Sequence, residues 1–327
     1  MPTKLHARIE RWPVAGAFTI SRGAKTHVDV VVAEIIDGDH VGRGEGTAIY
    51  YHGESAESVL AQVLAQADAL ANGLTRAELQ HRLPRGAARN ALDCALWDFQ
   101  AKKAGLPVWK LAGLPEPRSL VTAFTISLGE PEKMEADARG SAHLPLLKLK
   151  LAGEGDEARV AAVRRGAPEA RLIVDANEAW TERDVAAEAA ILAAYDVELI
   201  EQPVHRGQDA LLDGVISPIP FAADESCQDR ADLARCAGRY QAINIKLDKA
   251  GGLTEALALA GEARDMGLEA MVGCMLATSL GIAPAFLLGG AARWVDLDGA
   301  LLLAKDRPAA MASQGGLLEP PAPELWG

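Results

Sequence analysis

A chain of 327 residues can bury a large core, and a barrel of roughly 200–250 residues plus a smaller unit fits within that length. A formal net charge of −12 argues against nucleic acid or an anionic membrane surface as partner. Hydrophobic content of 49% with 5% aromatic residues, no apolar signal core at the start and no uncharged run of membrane-spanning length indicate a globular protein, expected in the cytoplasm. Cys94, Cys227, Cys236 and Cys274 are scattered without a Cys-x-x-Cys, a pattern of reduced thiols rather than of a disulfide framework or a zinc site.

The first ~115 residues read as strands followed by helices. The β-branched run 28–36 predicts a strand that turns at Asp37-Gly38-Asp39, and 42–49 its antiparallel partner. Helical periodicity covers 55–70, with Ser55 as cap and Glu57 in the first turn. A second helix spans 87–104, with Ala91, Leu92, Ala95, Leu96 and Phe99 on one stripe. Pro115 and Pro117 punctuate the end of this unit.

Beyond Ser119 strands and helices alternate. Residues 121–127, 145–151, 171–175, 198–201, 221–224, 242–246, 269–273 and 294–298 are strand candidates, and helical segments such as 156–167, 181–194 and 253–266 lie between them. That rhythm is the signature of repeated βα units closing into a parallel barrel. The expected fold is α/β, a (β/α)7β TIM-type barrel over 118–299, with an α+β capping domain over 1–117 that the C-terminal segment from about 300 to 327 completes.

The chemistry sits at strand ends. Asp175, Glu201 and Asp224 each end a consecutive strand, and barrel strand ends converge on one face. Three carboxylates so close repel unless a cation intervenes, and an all-oxygen set without His or Cys suits a hard cation, Mg²⁺ first and Mn²⁺ next. Taken singly, each acid reads more readily as a helix cap or a lysine partner; three on adjacent strands reverse that preference. Lys148 and Lys150 lie two apart on one strand and share a face. Two ammoniums together, near a divalent metal, are expected to depress an amine pKa and so supply a base. Lys246 ends the strand across the barrel. Two lysines flanking one carbon from opposite faces can remove a proton on one side and return it on the other, which inverts the centre. Alone, a Lys-x-Lys is a solvated edge.

Lys148-x-Lys150, Asp175-Ala-Asn, Glu201-Gln-Pro, Asp224-Glu-Ser and Asn244-Ile-Lys-x-x-Lys-x-Gly-Gly, in this order over essentially the whole chain, resemble the muconate-lactonising subgroup of the enolase superfamily. Asp296-Leu-Asp298-Gly resembles its dipeptide epimerases, those acting on L-Ala-D/L-Glu in particular. The likeness extends to Ser21-Arg22-Gly23, the 87–97 helix and Gly273-Cys274-Met275. It implies Asp175, Glu201 and Asp224 as ligands of Mg²⁺, Lys150 and Lys246 as the acid/base pair, and Lys148 as a residue that tunes Lys150 and neutralises developing charge. It also implies a murein dipeptide as substrate and partner.

Asp296 and Asp298, two apart on one strand, could grip the dipeptide's ammonium; as sequence alone they also make good turn chemistry. Arg22 is placed on a distal carboxylate, with a surface arginine as the plain alternative. Thr125, Cys274 and Met275 are expected to line the pocket, and the loop from Tyr50 to Glu54 to help close it, with His52 equally well solvated. Neighbouring activities of the subgroup use the same metal and lysines: N-acylamino-acid racemase, o-succinylbenzoate synthase and cycloisomerase. Their substrates offer no ammonium to Asp296 and Asp298. A Schiff-base lyase through Lys246 and a non-catalytic binding barrel are the readings from other classes, and the sequence leaves a homo-oligomer open.

Overall fold

The computed structural model describes residues 3–20 and 23–327. The chain opens with an antiparallel sheet in the order β1 (Lys4–Ile20), β2 (Gly23–Asp37), β3 (His40–Thr47). Helices α1 (Ala56–Leu64), α2 (Ala67–Ala71), α3 (Arg76–Arg82) and α4 (Ala87–Ala104) follow. The predicted hairpin at 37–39 is present, with Asp37 opposite His40. The helix expected over 55–70 is two helices: Ser55 caps α1 by accepting from the Ser58 amide, and the run breaks after Leu64. Strand β1 runs where the sequence pattern predicts none.

Alternation along β2 decides how this unit meets the rest. Val31, Ala33 and Ile35 point into a core shared with α1, α3 and α4. Val28, Val30 and Val32, on the other face, belong to the large core that continues into the barrel. Helix α4 divides in the same way: Leu92, Ala95, Leu96 and Phe99 pack inside the capping unit, and Cys94, Trp97 and Ala101 toward the barrel. It lies directly on β3 because Gly42, Gly44 and Gly46 have no side chain there; a Cβ on Gly44 would stand 2.0 Å from Ala91 O.

The second unit alternates as expected. After α5 (Val108–Leu111) and β4 (Leu120–Val121) come β5 (Phe124–Ile126), α6 (Pro131–Gly140), β6 (Leu146–Lys150), α7 (Asp156–Gly166), β7 (Arg171–Asp175), α8 (Val185–Ala193), β8 (Val197–Glu201) and β9 (Phe221–Ala223). Then follow α9 (Leu233–Cys236), β10 (Ala242–Ile245), α10 (Leu247–Ala250), α11 (Leu253–Asp265), β11 (Glu269–Gly273), α12 (Ser279–Gly289) and β12 (Trp294–Asp296). Strands β5 to β12 form one parallel sheet in chain order, and the Ala123 amide donates to Val295 O at 2.8 Å to join its two ends. This is the expected (β/α)7β barrel with an N-terminal α+β cap. Among the described residues no helix is long and apolar enough to cross a membrane.

One segment differs from the sequence reading. The strand predicted over 121–127 is split: Leu120 and Val121 leave the barrel to pair with β14 (Leu317–Leu318), itself paired with β13 (Ser313–Gln314). The C-terminal segment touches both units. Trp326 Nε1 donates to Cys94 O and the Gly327 amide to Asp98, whereas β14 holds β4.

Candidate active site

The barrel interior is layered by the two-residue period of its strands. Ala123, just before β5, and Leu146, Ile173, Leu199, Ala222, Ala242, Met271 and Trp294, one from each of β6 to β12, form an apolar floor. Two residues further along the same strands come Thr125, Lys148, Asp175, Glu201, Asp224, Asn244, Gly273 and Asp296. The apolar-to-polar change therefore occurs on every strand except β11 at the same height. Gly273 is the exception because a Cβ there would lie 2.5 Å from Asn244 Oδ1. One more step up stand Lys150, Lys246 and Asp298.

Register fixes the neighbours: Lys150 lies opposite Asp175, and Asp175 opposite Glu201. Lys148 Nζ stands 2.5 Å from Glu201 Oε2, 2.7 Å from Asp296 Oδ2 and 3.5 Å from Asp175 Oδ2. Lys150 Nζ is 2.6 Å from Asp175 Oδ2, and Lys246 Nζ 2.7 Å from Asp224 Oδ2. Asn177 N donates to Asp175 Oδ1, Asn244 Nδ2 to Glu201 Oε1, and Thr125 N to Asp298 Oδ2. All eight of these acids and lysines are buried.

Burial would raise the carboxyl of Asp175, but Lys150 and Lys148 hold it below its usual range; Lys246 and Lys249 hold Asp224 lower still. Glu201 is pushed up, by burial first and then by Asp175. Burial does act to lower Lys148 and Lys246, and Lys148 lowers Lys246, but the facing carboxylates outweigh both effects and raise them. Asp298 is raised by burial and by Asp296 beside it.

Whether these residues suit a metal is decided by their chemistry. As placed, no group of three or more His, Cys, Asp or Glu among the described residues is arranged to hold an ion; each of the three carboxylates lies on a lysine instead. Yet the donors are all oxygen, come from adjacent strand ends and converge on flexible ammonium tips. Glu201, raised first by burial and then by its like-charged neighbour Asp175, sits within a cluster of acids. The set fits a hard divalent cation.

Lys148, Lys150, Asp224, Lys246, Asp296 and Asp298 line a cavity of about 340 Å³ whose other wall is the cap. Phe18 and Lys25, opposite one another on β1 and β2, reach over it, and Thr19 is tied to the barrel by Leu128 N donating to its carbonyl. Thr125, Cys274 and Met275 line it as expected, and Cys274 Sγ donates to Asp296 O. Tyr50 and Tyr51 close one side; His52, the next residue, bonds through Nε2 to Gln228 Oε1 at 2.5 Å. Arg22 lies outside the described residues. Sequence reasoning missed Lys25, whose ammonium is lowered by desolvation and makes no ion pair among the described residues. It also missed Asn244 and Lys249, although both stand in the Asn-Ile-Lys-x-x-Lys run.

Residues 3–113 match the N-terminal domain of mandelate racemase / muconate lactonizing enzyme, and residues 132–304 match the enolase C-terminal domain-like family. The chain belongs to the enolase superfamily. Within that superfamily it is 45% identical to the L-Ala-D/L-Glu epimerase of Escherichia coli (strain K12) over 311 residues, 94% of this chain and 97% of the relative. A solved structure from Agrobacterium tumefaciens, an enolase family member with homology to dipeptide epimerases and with bound sodium and L-Ala-L-Glu, superposes with a TM-score of 0.97 at 50% identity over 100% of both chains. The dipeptide epimerase of Enterococcus faecalis V583, complexed with Mg and L-Leu-L-Tyr, gives 0.90 at 31% identity, covering 98% of this chain and 97% of that one.

Proposed function

We propose that this chain is a Mg²⁺-dependent dipeptide epimerase, an isomerase that moves a proton on and off the α-carbon of a dipeptide's C-terminal residue, with L-Ala-D/L-Glu as substrate. The observation that carries this reading is the pairing of Lys150 on β6 with Lys246 beyond β10, four strands apart in a ring of eight, above a buried Asp296/Asp298 pair. Two acid/base groups on opposite walls invert a centre. A buried pair of carboxyls beside them selects a cation.

Asp175, Glu201 and Asp224 would hold Mg²⁺, which when bound would neutralise the substrate's α-carboxylate and the charge that grows as the α-proton leaves. A lysine base with Mg²⁺ is the general solution of this superfamily. Lys150 takes the proton from an S centre, and Lys246, on the opposite wall, delivers one to the other face. The reverse direction exchanges the two roles. Lys148 keeps a fixed positive charge between Glu201 and Asp296.

Asp296 and Asp298 receive the substrate's N-terminal ammonium. Asp296 Oδ1 is buried without a hydrogen-bond partner, a ready acceptor. Lys25, aided by Arg22, receives the side-chain carboxylate of glutamate. Thr125, Cys274 and Met275 shape the wall around the peptide. Residues 1–117 with the segment from about 300 form the selecting cap, residues 118–299 the catalytic barrel, and the enzyme works in the cytoplasm on peptides released from the cell wall.

Proton NMR of L-Ala-L-Glu with enzyme and Mg²⁺ in D₂O tests this. The Glu α-proton signal disappears while the L-Ala-D-Glu diastereomer grows. Absence of exchange with any dipeptide, in protein that binds the metal, removes the assignment.

A further inference from the structure

Lys249 lies outside the pocket wall, yet it is wholly buried and its ammonium faces four oxygens. They are Asp224 Oδ1 and Asp224 O at 2.6 Å, and Cys227 O and Asn244 O at 2.9 Å. Three N–H bonds serve four acceptors, so one is shared. A lysine buried so completely needs a reason, because an ammonium leaves water only at high cost unless fully paired.

Its placement is determined from both units. Lys246 precedes α10 and turns to the cavity; Lys249, three residues on, turns back beneath the end of β9. Helix α10 is held by the cap: Asn90 Nδ2 donates to Asp248 Oδ1 at 2.8 Å and Arg89 Nη2 to Ala250 O at 2.5 Å. Gly251 and Gly252 then turn the chain with φ of +83° and +114°, where a Cβ would strike Arg89 and Asp93.

The consequence lies at Asp224. Its two oxygens are not equivalent: Oδ1 is committed to Lys249, and Oδ2 alone is turned toward Lys246 and the cavity. Through Asn244 O the same ammonium also steadies the residue whose Nδ2 donates to Glu201 Oε1.

We propose that Lys249 is a positioning residue that orients Asp224 so that one oxygen, Oδ2, is offered to the metal, and that metal affinity depends on it. This rests on Asp224 being a metal ligand, as proposed above. Lys249 touches neither substrate nor reacting atoms. It acts through the carboxylate it holds, and partners of that kind are worth about 10–100-fold in metal affinity.

The test is calorimetric titration of the full chain with Mg²⁺, without substrate, for the native protein and for Lys249→Met, Lys249→Gln and Asp224→Asn. We expect Asp224→Asn to lose binding and Lys249→Met to weaken it about 10–100-fold. Lys249→Gln, which keeps N–H donors near Asp224 Oδ1, recovers part of the loss. In activity assays the Lys249 variants then require more Mg²⁺ for half-maximal rate and approach the native kcat once it is supplied, which general loosening of the fold would not produce. Should Lys249→Met fail to fold, Lys249→Gln carries the comparison. Native Mg²⁺ affinity in a folded Lys249 variant, with Asp224→Asn defective, overturns this proposal alone; native affinity in Asp224→Asn overturns the ligand assignment beneath it.

Discussion

Lys148 donates to Asp296 across the pocket at 2.7 Å while standing 2.5 Å from Glu201. The residue read as an ammonium grip and the residue read as a metal ligand thus share one counter-ion. Asp296→Asn leaves the pocket's shape but removes half of the charge offered to the dipeptide's N-terminus. We expect kcat/KM for L-Ala-L-Glu to fall roughly 10²-fold, the scale of losing one partner of a buried charge pair. N-acetyl-glutamate, which carries no ammonium, should lose far less. Parallel kinetics on the two compounds checks this, and an equal loss on both would assign Asp296 to holding Lys148 rather than substrate.

Separating the two lysines should separate exchange from inversion. In Lys246→Met, Lys150 still reaches the S centre, so L-Ala-L-Glu should take up deuterium at the Glu α-carbon without forming the other diastereomer. Epimerisation should drop by at least the 10²–10⁴-fold typical of losing a general acid. Lys150→Met should show the mirror behaviour with L-Ala-D-Glu. NMR in D₂O reads both. Inversion at native rate in either variant would remove that lysine from the reaction.

Much of this site is legible in the residue pattern itself. Strands 171–175 and 269–273 stand where their apolar runs put them, and Lys148, Lys150, Asp175 and Glu201 fall where strand alternation requires. β1 is hidden because Arg8, Glu10 and Arg11 interrupt its apolar pattern and its outer face is solvated. The break after Val121 is hidden for a different reason: its partner, Leu317, lies far along the chain and no local pattern announces the pairing. The sequence shows the two ammoniums of Lys148 and Lys150 side by side but not that carboxylates face each of them. Lys249 is visible as a letter in a motif, and only the folding-back of α10 reveals what it holds.

The interface between cap and barrel contains a buried acid, Asp248, with an expected signature in stability. Asp248 accepts from Thr47 N and Asn90 Nδ2, both at 2.8 Å, and burial, with Glu54 and Glu45 nearby, raises its carboxyl to about 7. A carboxyl raised on folding is protonated in the folded state over a window where the unfolded chain is already ionised. Stability from this group is therefore complete below the unfolded value of 3.8 and declines as pH rises to about 7. The full swing is no more than about 4 kcal/mol. Asp248→Asn should flatten that decline, so that urea unfolding of native and variant proteins diverges between pH 5 and pH 8 in favour of the variant. A constant difference across that range would mean that Asp248 is ionised in the folded protein throughout.

The contact between β3 and α4 offers the plainest test of how the cap is built. Gly44 faces the helix with no room for another atom: an added Cβ would meet Ala91 O at 2.0 Å and Ala95 N at 2.6 Å. Both are backbone atoms inside a helix, so no rotamer change relieves the clash, and α4 must move off the sheet. Gly44→Ala should cost about 1–3 kcal/mol by overpacking. Helix α4 also carries Arg89, Asn90 and Asp93, whose bonds hold α10 and the Gly251-Gly252 turn, so the displacement should reach Lys246 and Lys249. The variant is expected to melt several degrees lower and to bind Mg²⁺ more weakly than its loss of stability alone would explain. Gly38→Ala, in a hairpin turn with open space around it, controls for the conformational effect of removing a glycine, since its φ of +60° strains an alanine but presses on nothing. If Gly44→Ala and Gly38→Ala bind Mg²⁺ alike, the cap-to-barrel linkage through α4 does not reach the carboxylates proposed to hold the metal.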